Sequence, residues 1–246
     1  MRLKVIACDV LFREVSDCAA HSRNVISTQY LIRGLHDNPE VLREALQRLI
    51  DETENEDDSF DAILLGYGLC NNAIAGLRAR RIPLVIPRAH DCITLFLGSR
   101  EEYSRQFRRE PGTYYYTSGW IERAGSRTER KAAQGEGLGK KFQEYAEKYG
   151  EENARYLMEI EQSWVTNYSR AAYIDLDLTH FLRYDEEAKK VAREKSWRYE
   201  ELKGDIRLIR DLINGEWRDE DFLVVPPGER VVASYTANII ELRDGM

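Results

Sequence analysis

The 246-residue chain lacks an excess of basic residues, a long apolar run and any paired Cys-x-x-Cys motif. Its 36 Lys and Arg are outnumbered by 43 Asp and Glu, for a net charge of -7. Nucleic-acid binding calls for a concentrated basic face, so no nucleic-acid partner is expected. No apolar stretch approaches the roughly 18 residues that span a bilayer, so no membrane partner is expected either. No internal repeat and no long linker divides the chain, and one domain over residues 1–246 is expected. Val5-Ile6-Ala7-Cys8 is similar to a lipoprotein cleavage box, yet only seven residues precede Cys8. That is too few for a charged leader followed by an apolar segment. The expected location is cytoplasmic, where cysteines are more often reduced, catalytic or metal-bound than disulfide-linked.

What is present is an alternation of short apolar runs and helical patterns. Strands are expected over 3–8, 25–32, 61–67, 83–87, 112–118, 171–176 and 221–225, where branched apolar and aromatic residues cluster. Helices are expected over 11–20, 71–81, 92–98, 185–195 and 204–212. A further helix opens with Asn38 as cap and Pro39 at its first position. Glycines 125, 135, 137 and 139 punctuate a stretch rich in Arg, Lys and Glu, which reads as a polar loop leading into a helix over 145–164. The fold class expected is α/β, with a mainly parallel, doubly wound sheet of Rossmann or flavodoxin-like kind and strand order 2-1-3-4-5. A helical elaboration is expected at about 120–168.

Three of the four cysteines fall at strand ends. Cys8 closes the first run, Cys70 follows Ile63-Leu64-Leu65, and Cys92 lies a few residues beyond Val85-Ile86-Pro87. Ligands in open α/β sheets sit outside the carboxyl ends of the strands, so Cys8, Cys70 and Cys92 are candidate metal ligands, with His90 as a fourth. Cys3His suits zinc; iron or an iron–sulfur cluster is the alternative. Cys70 and Cys92 each precede a helical pattern, and a helix N-terminus favours the thiolate. His90 is also a candidate base, and Arg88 a candidate clamp for an anionic group. Tyr67, Tyr115 and Trp120 are candidate pocket-lining residues. Gly66-Tyr67-Gly68 reads as close backbone approach at the pocket floor rather than as a phosphate cradle. Other readings stay open for the same thiols: apolar filler, a reversible Cys70–Cys92 disulfide, or Cys92 as a nucleophile beside His90. Cys18 reads as core.

Gly66-Tyr67-Gly68-Leu69-Cys70-Asn71, Ile86-Pro87-Arg88-Ala89-His90-Asp91-Cys92-Ile93-Thr94, Gly98-Ser99-Arg100 and Gly112-Thr113-Tyr114-Tyr115 with Gly119-Trp120 carry a resemblance over nearly the whole chain. The sequence resembles domain-of-unknown-function family 1638 of bacteria and archaea. The family has no established activity. Its members often accompany corrinoid-dependent methyltransferase systems in anaerobes, so the resemblance implies a role near methyl transfer, with a corrinoid protein or methyltransferase as partner. The function expected is a metal-dependent enzyme, of transferase kind, acting on a small molecule. The alternative is a non-catalytic accessory protein that holds a corrinoid, a methylated amine or a metal.

Overall fold

The computed structural model describes residues 1–56, 59–123 and 168–243, with isolated positions between 146 and 155. Its central sheet begins with β1 (Arg2–Cys8) and β2 (Val25–Leu31), parallel and joined by helix α1 (Phe12–His21). Helix α2 (Pro39–Glu56) then returns the chain to β3 (Ala62–Gly66), parallel to β1 on its other side. Asn38 opens α2 by accepting the Val41 amide on its side chain. β4 (Leu84–Pro87) follows in parallel beside β3, and the edge is closed by the antiparallel β8 (Phe222–Val225). The order is β2-β1-β3-β4-β8. The expected 2-1-3-4 arrangement is present, but the antiparallel β8 occupies the fifth place.

Side-chain alternation along these strands divides the core into two halves. Leu3, Val5, Ala7, Ala62 and Leu64 face one way; Ile6, Ile63 and Leu65 face the other, against Leu42, Leu46 and Ile50 of α2. The first face is covered by α1, by α3 (Cys92–Leu97) and by α7 (Arg207–Asn214). It is also continuous with a second, three-stranded parallel sheet: β5 (Thr113–Tyr116), β6 (Arg170–Asp175) and β7 (Arg198–Lys203), in that order. Ala172, Ile174 and Leu202 of this sheet join the same buried cluster. Helix α6 (Asp185–Glu194) links β6 to β7. Arg170 of β6 is completely buried, and its charge is answered by Glu200, 2.9 Å away on β7, and by Glu110. The expected strand over 112–118 thus founds a sheet of its own.

Several expectations are corrected. Residues 70–76 form turns, not the start of a helix over 71–81. The amides there are committed elsewhere: Gly76 donates to Val231 and Ala79 to Glu229, on and beside β9 (Arg230–Ala233), which pairs with β10 (Ile240–Arg243). The buried Ala73, Ile74 and Leu77 produce the helix-like spacing while lining a loop. Two helices are additional, α4 (Arg100–Arg109) and α5 (Ser118–Glu122). The elaboration expected at 120–168 and the helix over 145–164 lie largely outside the described residues.

Candidate functional site

Because β1, β3 and β4 run parallel, their carboxyl ends open on the same side, and the loops leaving β3 and β4 are joined there. The Leu69 amide donates to the Ala89 carbonyl at 2.8 Å, and the Cys70 amide to the His90 carbonyl at 2.9 Å. Gly68 makes this approach possible: a Cβ there would stand 2.7 Å from the Asp91 nitrogen and 2.8 Å from the Ala89 oxygen. The chain then turns through three consecutive left-handed residues, Cys70, Asn71 and Asn72, with φ of 45°, 55° and 66°. Asparagine tolerates that region better than most residues, but cysteine has no such compensation. Strain of this kind persists only where the surroundings enforce it; here the two amide–carbonyl bonds to the β4 loop do so.

The loops enclose a cavity of about 690 Å³. Cys8, Cys70 and Cys92 all line it, as do Tyr67, His90, Tyr115 and Trp120. Tyr103, Phe107, Tyr114 and Tyr168 extend the aromatic lining, so β5 of the second sheet contributes to the cavity. His90 is exposed at the rim, its ring 6.0 Å from that of Tyr103. Tyr67 is only 3 % exposed, and its hydroxyl is buried without a hydrogen-bond partner. Cys18 is buried in the core between α1 and α7, as expected of filler.

Arg88 is placed differently from the expectation. It is not among the residues lining the cavity; its guanidinium donates to the carbonyls of Asp219, Asn238 and Ile240. It ties the C-terminal hairpin to the end of β4, and those main-chain oxygens use the donors an anion would need. The cation at the cavity is Arg33, which sequence reasoning missed. It stands just beyond β2, so the strand-end rule that selected the cysteines also points to it. Its guanidinium lies 3.9 Å over the Trp120 ring and donates to the Trp120 carbonyl at 3.1 Å. Trp120 is itself fixed by the Thr117 hydroxyl, which accepts its amide, and by Gly119, where a Cβ would overlap the Val10 carbonyl.

Electrostatics overturn the expected activation of the thiols. Burial pushes Cys8 up to about 11 and Cys70 up to about 12, and raises Cys92 well above the ordinary thiol range. After burial, the Asp91 carboxylate and the other thiols contribute: Cys8 raises Cys70, and both raise Cys92. Cys92 does begin α3, and Asp91 caps that helix by accepting the Ile93 amide at 3.0 Å. Six residues of helix cannot offset the loss of water and an adjacent carboxylate, and Cys70 heads no helix at all. Among the described residues, no group of three or more His, Cys, Asp or Glu side chains is placed so that it could hold a metal ion. No helix among them is long and apolar enough to cross a membrane.

These features define a mixed α/β protein with a mostly parallel central sheet and a thiol-lined cavity at its carboxyl edge. Over residues 30–213 the chain matches the profile of a family described as proteins of unknown function, DUF1638, and it belongs to that family. No curated protein and no solved structure matches it.

Proposed function

We propose that the cavity is a soft-metal site serving small-molecule chemistry, with Cys8, Cys70 and Cys92 as thiolate ligands and His90 at the rim as fourth ligand or base. The observation that carries this reading is the arrival of three sulfurs from three strand ends at one cavity, where they oppose one another's ionisation. A single buried thiol is ordinary filler. Three that interact electrostatically gain most from a cation, since zinc or iron(II) deprotonates a coordinating thiol and cancels the repulsion. Capture would require the three side chains to turn toward one another, and rotation about the Cα–Cβ bond is the freedom a cysteine has for that. The bound ion would act as a Lewis acid or activate a bound water or thiolate. The cavity volume falls in the range of small-molecule sites, roughly 300–1,000 Å³. The 2-1-3-4 strand order supports a flavodoxin-like reading of the central sheet. The methyl-transfer and corrinoid expectations rest on the family resemblance alone and add nothing to this argument.

The test is zinc titration of reduced, metal-free protein against a chromophoric chelator, with proton release followed in weak buffer. One zinc per chain is expected, with up to three protons released because the free thiols start protonated. Each single Cys→Ser substitution at 8, 70 or 92 should weaken binding, and the triple substitution should abolish it. Zinc affinity that survives the triple substitution would overturn the proposal.

A further inference from the structure

Arg33 is the one Lys or Arg lining the cavity among the described residues, and no carboxylate there pairs with it. An arginine without an acidic partner is common on an open surface, where water solvates every donor. Arg33 is different, being held in place on two sides. The Trp120 ring covers one face of its guanidinium, and one of its nitrogens is spent on the Trp120 carbonyl. The main chain that carries this indole is in turn held by the Thr117 cap and by the contact of Gly119 with Val10. A planar fork held this way has already lost most of the side-chain freedom that binding would otherwise cost. Its remaining donors suit a planar anion, which accepts two parallel hydrogen bonds from such a fork.

Position within the sheet says where that anion lies relative to the sulfurs. Arg33 follows β2; Cys8 ends the adjacent β1; Cys70 follows β3, one strand further on. Neighbouring strands are about 4.8 Å apart, so β2 lies about 5 Å laterally from β1 and about 10 Å from β3, and Arg33 leaves the sheet on the β2 side of the cavity. The buried Tyr67 hydroxyl, without a partner, stands on the β3 side of the same cavity. We infer that the cavity's ligand is a small carboxylate, with its anionic end on Arg33 and its reacting end toward the thiols. This rests on the shared-thiol reading above and specifies the substrate class for it.

Three trivalent arsenicals separate the two ideas, because an arsenoxide condenses with two neighbouring thiols, forming two As–S bonds and releasing water. Reduced full-length protein is titrated with phenylarsine oxide and with its 3- and 4-carboxy derivatives. Thiol loss is followed by mass spectrometry, and affinity by competition with a small dithiol. One adduct per chain is expected, consuming two thiols among Cys8, Cys70 and Cys92. At least one carboxylated probe should bind about tenfold more tightly than the neutral one, as one charge-assisted pair supplies. Arg33→Met should erase that preference, and Arg33→Lys should keep part of it. Equal binding of all probes by the wild type, or a preference surviving in Arg33→Met, would overturn the carboxylate assignment and leave the thiol site standing. Failure to form a two-thiol adduct would overturn the thiol reading instead. In that event, thermal shifts with benzoate and benzamide still decide on Arg33. Stabilisation by benzoate alone, lost in Arg33→Met, supports the assignment, and equal responses reject it.

Discussion

Glu14 offers a sharp test of the electrostatics of this fold. It lies on α1, is 0 % exposed, and neither carboxylate oxygen has a hydrogen-bond partner. The neighbouring Arg13 does not neutralise it, because that guanidinium grips Glu122 at 2.6 and 2.9 Å. Burial therefore raises the Glu14 pKa from 4.5 to about 7, with the Glu122 charge adding to the effect. Lifting the carboxyl from 4.5 to about 7 corresponds to about 3 kcal/mol. Because the folded value lies above the unfolded one, the native state binds more protons between pH 4.5 and 7. Stability from this group consequently falls as pH rises through that window; the cost is complete above pH 7 and absent below pH 4.5. Glu14→Gln keeps the shape and removes the ionisation. Urea denaturation of wild type and variant at pH 4.5, 6 and 8 should show the variant's relative stability growing by about 3 kcal/mol from the lowest to the highest pH. The slope is the test, since an unpartnered amide carries its own constant cost. A difference that stays flat with pH, or grows toward acid, would refute the argument.

Two further outcomes follow from the site. Gly68→Ala places a methyl group against the Asp91 nitrogen and the Ala89 carbonyl, both main-chain atoms that cannot swing away. It should destabilise the fold by about 2–3 kcal/mol, typical of overpacking, and weaken zinc capture by parting the Cys70 and Cys92 loops; denaturation and chelator competition read the two effects. Iodoacetamide should label Cys8, Cys70 and Cys92 slowly at pH 7, because all three thiols are raised, and faster as pH climbs toward 11. Rapid, selective labelling of Cys92 near neutrality would instead favour a nucleophilic cysteine beside His90.

Strands β1, β3 and β4 were legible because buried parallel strands carry continuous branched apolar runs, as in Ala62-Ile63-Leu64-Leu65. The three cysteines were legible from strand ends, and Tyr67, Tyr115 and Trp120 from the residues around them, whereas Tyr103, Phe107 and Tyr168 of the same lining were not. Helix α4 was not, because Gln106 is its only buried residue and it has no apolar stripe; its signal is the Ser99 to Glu102 capping pair, where Ser99 accepts the Glu102 amide. Strand β7 was hidden because Arg-Tyr-Glu-Glu-Leu-Lys buries only Leu202 at the edge of its sheet. The helix expected over 71–81 failed because apolar spacing reports burial, whereas the backbone there pairs with β9. Arg88 was misread for a related reason: it stands at a strand end, but the C-terminal hairpin that claims it is a contact 150 and more residues away along the chain.

The cavity takes three cysteines into its lining while denying them charge. Burial, the Asp91 carboxylate and mutual repulsion all favour the protonated thiols, so any function that needs thiolates must bring its own positive charge. Arg33 lowers Cys8 only slightly against that burial, and α3 is too short to help Cys92. In the proposed reading a soft cation supplies what the protein withholds, and the left-handed turn at Cys70–Asn72 keeps the second ligand over the cavity while the cation is absent. Metal capture should then compete directly with protons, and zinc affinity should rise with pH across the range where free thiols outside this cavity would already be ionised. A zinc affinity independent of pH between 6 and 9 would mean that ligands other than these cysteines hold the ion.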